Sequence, residues 1–284
     1  MDRLPVLAVV RAAYQFTFAH LGAIIGVIWL PMVAVTVTGF FAEQRFYAAI
    51  ETAYATHGTP DGAALLLFLG YGLLFLLFHA MMMVGVARLA LGAKPAGRLS
   101  ISFGVAEWRL FRAWFGLVLF LLVPLLVFSM VLMAATPGDP AAVSAAQLGR
   151  LSLMILLMSG ALVFVGLRFA FLLPGLAAGE GGTEKLLARS WTLSAGNFWR
   201  IFAVVLLCVA PVYLGGAVLQ SLGELTLTPQ GPASAELGTM LARTREALPL
   251  AKGLQFLMAP FLTGLMASAS VIAGRELSRV DLSA

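Results

Sequence analysis

Charge is what this chain most lacks. Only 11% of its 284 residues are Asp, Glu, Lys or Arg, against 61% hydrophobic, and the mean hydropathy is +0.98. A soluble domain carries about 25% charged residues, so a water-facing surface could not be covered. The composition is that of an integral membrane protein. Cysteine is nearly missing: Cys208 stands alone, which excludes an intramolecular disulfide and a cysteine metal cluster. Inside an apolar run it reads as a small buried hydrophobe.

Histidine is scarce as well. His20 opens the first run, His57 lies in a polar stretch, and His79 is embedded in "LLFLLFHAMMMVG" with no carboxylate within helical reach. A metal site needs several ligands together, and none gather here. His79 can instead bond to a backbone carbonyl or a serine on a neighbouring helix, while any ionisable group at membrane depth is a functional-site hypothesis. The acids, among them Glu43, Glu51, Glu107, Glu180, Glu184 and Glu276, sit at loops and run ends. A proton- or sodium-coupled carrier therefore lacks its usual mid-membrane carboxylate. Paired carboxylates for acid–base hydrolysis are absent, as are the G-x-S-x-G elbow, the P-loop and H-E-x-x-H. No catalytic residue, metal site or cofactor site is expected, and the scattered basic residues do not suggest nucleic acid. No polar stretch reaches the ~50 residues of a separate domain, so residues 1–284 read as one membrane domain.

What the chain has is long apolar runs. Spans are expected at about 18–42, 63–91, 111–135, 151–177, 198–222 and 253–275, each reaching the ~20 residues that cross hydrocarbon as a helix. The expected fold is all-α: a polytopic bundle of six transmembrane helices, arranged as three helical hairpins, with a short interfacial helix before the fifth span. The first run is too long for a signal-peptide core of ~7–15 residues. Basic residues are lopsided. Arg3, Arg11, Arg88, Lys94, Arg98, Arg109, Arg112, Arg168, Lys185, Arg189, Arg200, Arg275 and Arg279 fall on one side; Arg45, Arg150, Arg243, Arg245 and Lys252 fall on the other. Basic loops stay in the cytoplasm, which puts both termini there. The other side is expected to be loops: 43–62, 136–147 and 224–252, the last with a short amphipathic helix over 233–247.

The odd runs share a pattern. "FAHLGAIIGVIWLP", "FRAWFGLVLFLLVP" and "FWRIFAVVLLCVAP" each open on Phe and close on Pro31, Pro124 or Pro211. Such a proline frees a backbone carbonyl, which a neighbouring helix can satisfy. Three proline-bearing helices suggest a carrier of the mitochondrial type, but no acid and base follow these prolines, and the analogy fails there. Small residues at Gly22-x3-Gly26, Gly264-x3-Ser268 and Ser270-x3-Gly274 suit close helix packing, whether internal or between copies.

The densest chemistry is "EGGTEKLLARSWTLSAGNFWRIF". Thr183 suits a helix N-cap and Glu184 its first turn. Leu186, Leu187, Trp191 and Ser194 share one face. Gly196 suits a left-handed stop, and Asn197 a cap on the next span. Trp108, Trp191 and Trp199 suit the headgroup zone. Arg88, Arg168, Arg275, Arg189 and Arg200 are candidate contacts for anionic lipid, because arginine matches phosphate bidentately. Arg168 is the deepest, and Glu180 and Glu184 are its candidate ion-pair partners.

Arg168, Pro174, Glu180, Ser190, Trp191, Gly196 and Asn197 together resemble the motif of the YciC-like proteins and the related glycerophosphodiester phosphodiesterase membrane domains. The likeness covers about thirty-five residues, Arg168 to Phe202. It implies a polytopic inner-membrane protein. In the phosphodiesterase fusions a separate soluble barrel does the hydrolysis, and no such barrel is present here, so the resemblance implies no enzyme beyond an accessory to one. The functional expectation is a non-enzymatic protein that contacts membrane phospholipid and scaffolds or modulates a membrane process, alone, as a homo-oligomer or with a membrane-protein partner. The alternative is a small permease for an amphipathic or lipid-like solute, which a polar cavity at mid-membrane would favour.

Overall fold

The computed structural model describes residues 4–56, 58–93, 103–134, 145–227 and 237–281. These form nine helices and no strand: α1 (Val6–Ala19), α2 (Leu21–Thr56), α3 (Gly62–Ala90), α4 (Val105–Ala134), α5 (Ala145–Arg168), α6 (Leu172–Ala177), α7 (Thr183–Ala195), α8 (Phe198–Leu227) and α9 (Leu237–Asp281). His57, Lys94 and Arg98, and the proline-rich stretches at 135–144 and 228–236, lie outside the described residues.

Four stretches among the described residues are long and apolar enough to cross a membrane. They are Leu21–Ala53, Gly62–Ala90, Phe198–Val218 and Ala242–Ser278, with mean hydropathies of 2.2, 2.2, 2.4 and 1.8. Large apolar side chains such as Leu66, Phe120, Leu156 and Leu214 stand exposed around the bundle. A water-soluble monomer rarely exposes contiguous apolar patches above a few hundred Å²; lipid is the solvent that suits this surface.

Several boundaries differ from the sequence expectation. The first run begins with a separate helix, because the chain turns at His20 (φ −115°, ψ 16°), whose Nδ1 bonds to Phe16 O. α2 then runs past residue 42, through the expected loop, to Thr56. α9 starts at Leu237 and absorbs both the expected amphipathic helix and the sixth run, through Pro249 and Pro260. The reason is cross-bracing between the two extensions. Lys252 Nζ lies 2.6 Å from Glu43 Oε1, and Arg245 Nη1 lies 2.8 Å from Glu51 Oε2. The fourth run breaks at 169–171, separating α5 from α6.

α9 is the hub. It packs against α1, α2, α3, α6 and α8, and half of its apolar window is buried, against 17% for α3 and for α8. One core cluster joins α2, α3, α4, α6, α7 and α9 around Ile24, Val84, Leu110 and Val271. The other joins α1, α5, α8 and α9 around Val9, Ile201, Cys208 and Leu265.

Two proline-freed carbonyls find partners on neighbouring elements. Pro211 frees Leu207 O, which accepts from Tyr14 Oη at 3.1 Å. Pro249 frees Arg245 O, which accepts from Gln44 Nε2 at 3.3 Å. Inside hydrocarbon an unpaired carbonyl costs several kcal/mol, so each bond fixes where one helix lies on another.

The small-residue motif of α9 serves internal packing. A Cβ on Gly264 would lie 2.7 Å from Thr17 Cγ2 and 3.1 Å from Ile24 Cδ1, whereas one on Gly22 would meet nothing within 4 Å. Gly264→Ala is expected to lower the melting midpoint in detergent, at a cost of about 1–3 kcal/mol for overpacking against a β-branched neighbour. Gly22→Ala is expected to leave it unchanged. Equal midpoints for the two variants would refute the close approach of α9 to α1 and α2.

Candidate functional site

The break between α5 and α6 exposes the backbone of residues 168–171, and three serines satisfy it. Ser190 Oγ accepts from Phe171 N–H at 3.1 Å and donates to Arg168 O at 2.9 Å. Ser194 Oγ donates to the same carbonyl at 3.2 Å. Ser270 Oγ supplies Ala170 O. Ser190 and Ser194 reach the break because they share the buried face of α7 with Leu186, at i, i+4 and i+8.

This corrects the expected register of α7. The helix is rolled so that Ser190 points inward and Trp191 is left at the edge, 43% exposed. The N-cap is Gly182 in extended conformation, not Thr183. Gly196 is right-handed (φ −84°) rather than left-handed; in this region the left-handed glycines are Gly179 and Gly181, which flank Glu180 in the turn before α7. Asn197 spends its side chain on another element: Oδ1 accepts from Leu4 N–H at 3.0 Å. Arg200 Nη1 donates to Leu4 O at 3.1 Å, so both polar groups of the Leu4 backbone are held at the start of α8. Pro174 sits in the first turn of α6, against Gly274 of α9.

Arg168 ends α5 beside this knot. Its guanidinium carbon lies 4.8 Å from the Trp191 ring, 5.3 Å from Phe164 and 5.8 Å from Phe198. Nε and Nη1 are buried and meet no hydrogen-bond acceptor among the described residues. Neither expected carboxylate reaches it, since Glu180 Oε2 takes Arg189 Nη1 at 2.9 Å. Each aromatic contact contributes on the order of 0.5–2 kcal/mol. They shield the charge but supply no acceptor, and each unfilled donor costs about 1–3 kcal/mol. Arg168 also lines a cleft of about 980 Å³, with Leu156, Val163, Asn197, Trp199, Arg200 and Phe202 among its walls. The cleft is thus apolar along α5 and α8 and cationic at one end.

The remaining candidate arginines are engaged. Arg88 Nη1 meets Glu107 Oε1 at 2.5 Å, and the Glu107 side chain is 0% exposed. Glu107 Oε2 also accepts from Gly104 N–H at 3.0 Å. Arg275 Nη2 donates to Leu91 O at 3.2 Å, and Arg189 Nη2 to Ser278 Oγ at 3.0 Å. Arg109 Nη1 donates to Gly181 O at 2.9 Å. These bonds tie the ends of α3, α4, α7 and α9 together, which the sequence did not reveal. The one local hint was Glu107, an acid just before the third run.

Among the described residues no group of three or more His, Cys, Asp or Glu could hold a metal ion. His79 lines a separate cavity at mid-bundle. Comparison with models of known families, with characterised proteins and with solved structures gives no match, so the site is read from its geometry.

The arginines should separate by experiment. Arg88→Gln strands a buried carboxylate and is expected to cost about 2–3 kcal/mol, below the range for a fully buried pair because Arg88 is partly exposed. Arg275→Gln removes one exposed bond and is expected to cost under about 1 kcal/mol. Melting curves of the two variants in detergent give the comparison, and equal shifts would contradict the burial of Glu107.

Proposed function

We propose that this is a non-enzymatic integral membrane protein of the bacterial inner membrane that binds anionic phospholipid at its arginine-rich edge, with Arg168 as the principal contact, and so scaffolds or modulates a membrane process. The observation that carries this reading is the Arg168 guanidinium, short of acceptors in a cleft with apolar walls. A lipid phosphate supplies oxygens for the guanidinium, which pairs with phosphate in a bidentate fork. Its acyl chains would follow Leu156, Val163 and Phe202, and Trp191 and Trp199 belong at the headgroup level.

Six spans are supported by the six long helices, α2, α3, α4, α5, α8 and α9, each of which overlaps one of the six apolar runs. An even number of crossings returns the chain to the side where it began. In keeping with this, Leu4 bonds to Asn197, and Ser278 bonds to Arg189 on the adjoining α7. The surplus of basic residues makes that side cytoplasmic. The resemblance to the YciC-like proteins belongs to the same reading, since its motif residues Ser190 and Asn197 brace the surroundings of Arg168.

Native mass spectrometry of the protein extracted from bacterial membrane tests this. The unaltered protein is expected to retain phosphatidylglycerol or cardiolipin over phosphatidylethanolamine, and Arg168→Gln to lose that preference. Arg189→Gln, which gives up bonds to Glu180 and Ser278, is expected to keep it. If Arg168→Gln carries the same lipids in the same ratio, the headgroup site is not there.

A further inference from the structure

A second cavity, of about 510 Å³, lies between α2, α3, α8 and α9 and shares no lining residue with the Arg168 cleft. Met32 and Val212 in its wall directly follow the helix-interior prolines Pro31 and Pro211. His79 lies ~14 Å inward from Arg88 along α3 at the usual helical rise, which places the cavity at membrane depth. Its polar lining includes His79, Thr36, Gln255 and Thr263, and among the described residues no Asp, Glu, Lys or Arg lines it.

The imidazole stacks on Phe75 at 5.5 Å and leans on Trp114 at 5.3 Å. Its nitrogens meet no hydrogen-bond partner among the described residues. Lys252 Nζ occupies Gln255 Oε1 at 3.3 Å and is itself paired with Glu43, which leaves the Gln255 amide N–H groups as donors. Met82 and Met258 line the same space, and unbranched thioether side chains adapt to flexible ligands.

We propose that this cavity binds an uncharged amphiphile, an apolar chain bearing a hydroxyl or ester head, in the class of the monoacylglycerols. The polar side chains receive the head, and the apolar wall receives the chain. A charged head would enter a site with no counter-charge in its lining, which low-dielectric surroundings penalise heavily. A neutral head needs only the donors and acceptors that are present.

Photolabelling in lipid nanodiscs tests it, using a monoacylglycerol with a diazirine in its acyl chain and mass spectrometry of the digested protein. Adducts are expected in the segments of α3 and α9 around His79 and Gln255. Unlabelled monoacylglycerol should compete, and the matching free fatty acid and phosphatidic acid should not. A Cβ on Gly216 in the cavity wall meets nothing within 4 Å, so the side chain of Gly216→Leu starts in open space and takes up part of the cavity. It is expected to reduce these adducts about tenfold, the equivalent of one decade in affinity, with an unchanged melting midpoint. His79→Phe, which keeps the ring stack and removes the nitrogens, is a second variant expected to weaken labelling. Adducts confined to lipid-facing positions such as Leu66 and Phe120, labelling indifferent to both substitutions, or equal competition by the charged lipids would overturn the proposal.

Discussion

Prolines inside helices set much of the geometry of this bundle. Each removes a backbone donor and frees the carbonyl four residues earlier, and in hydrocarbon no water takes its place. Tyr14 answers for Leu207 and Gln44 for Arg245, and Ser270 takes Ala170 O where α5 breaks before α6. Those bonds pin α1 to α8, α2 to α9, and α9 to the break before α6. The same requirement at that break recruits Ser190 and Ser194 from α7. A helix that slid by one turn would leave a carbonyl bare in the membrane, so the polar residues act as register marks on a largely featureless apolar surface.

Arg168 is a consequence of that arrangement. Its carbonyl is held by two serines while its side chain emerges among three aromatic rings. Arg88, Arg109, Arg189, Arg200 and Arg275 around it are tied to carboxylates, hydroxyls or helix-end carbonyls. Arginine near the membrane boundary thus does two kinds of work here. Most of these residues knit the ends of helices together, and one keeps buried donors without acceptors beside an apolar cleft.

Much of this was legible in the sequence. Apolar runs of membrane-crossing length located α2, α3 and α8 closely at the arginine-rich edge, but not the end of the fourth run, which breaks at 169–171. The stretch from Glu180 to Phe202 was rightly read as a short helix, a tight break and a new long helix. The other edge was misjudged because polarity marked 43–56 as loop and set 237–247 apart as a separate amphipathic helix rather than the start of α9. There, ion pairs between α2 and α9 let both helices continue, and a pairing across roughly two hundred residues leaves no local signal. α1 was missed for a similar reason: its boundary is a turn at His20, without glycine or proline to announce it. The roll of α7 depended on which backbone groups needed serines, a demand that arises only once α5 breaks. Arg168 was recognised as the deep cation. Its aromatic surroundings were not, since Phe164, Trp191 and Phe198 come from three different helices.

The central claim is a contact between one guanidinium and a lipid phosphate. Solid-state NMR can read it directly, as dephasing of arginine Cζ signals by phosphorus in bilayers containing phosphatidylglycerol. The account predicts that the carbon assigned to Arg168 is the most strongly dephased, and that it is much less so in bilayers of phosphatidylcholine alone. Dephasing confined to water-exposed arginines such as Arg11 and Arg112, with Arg168 unaffected in both bilayers, would contradict it.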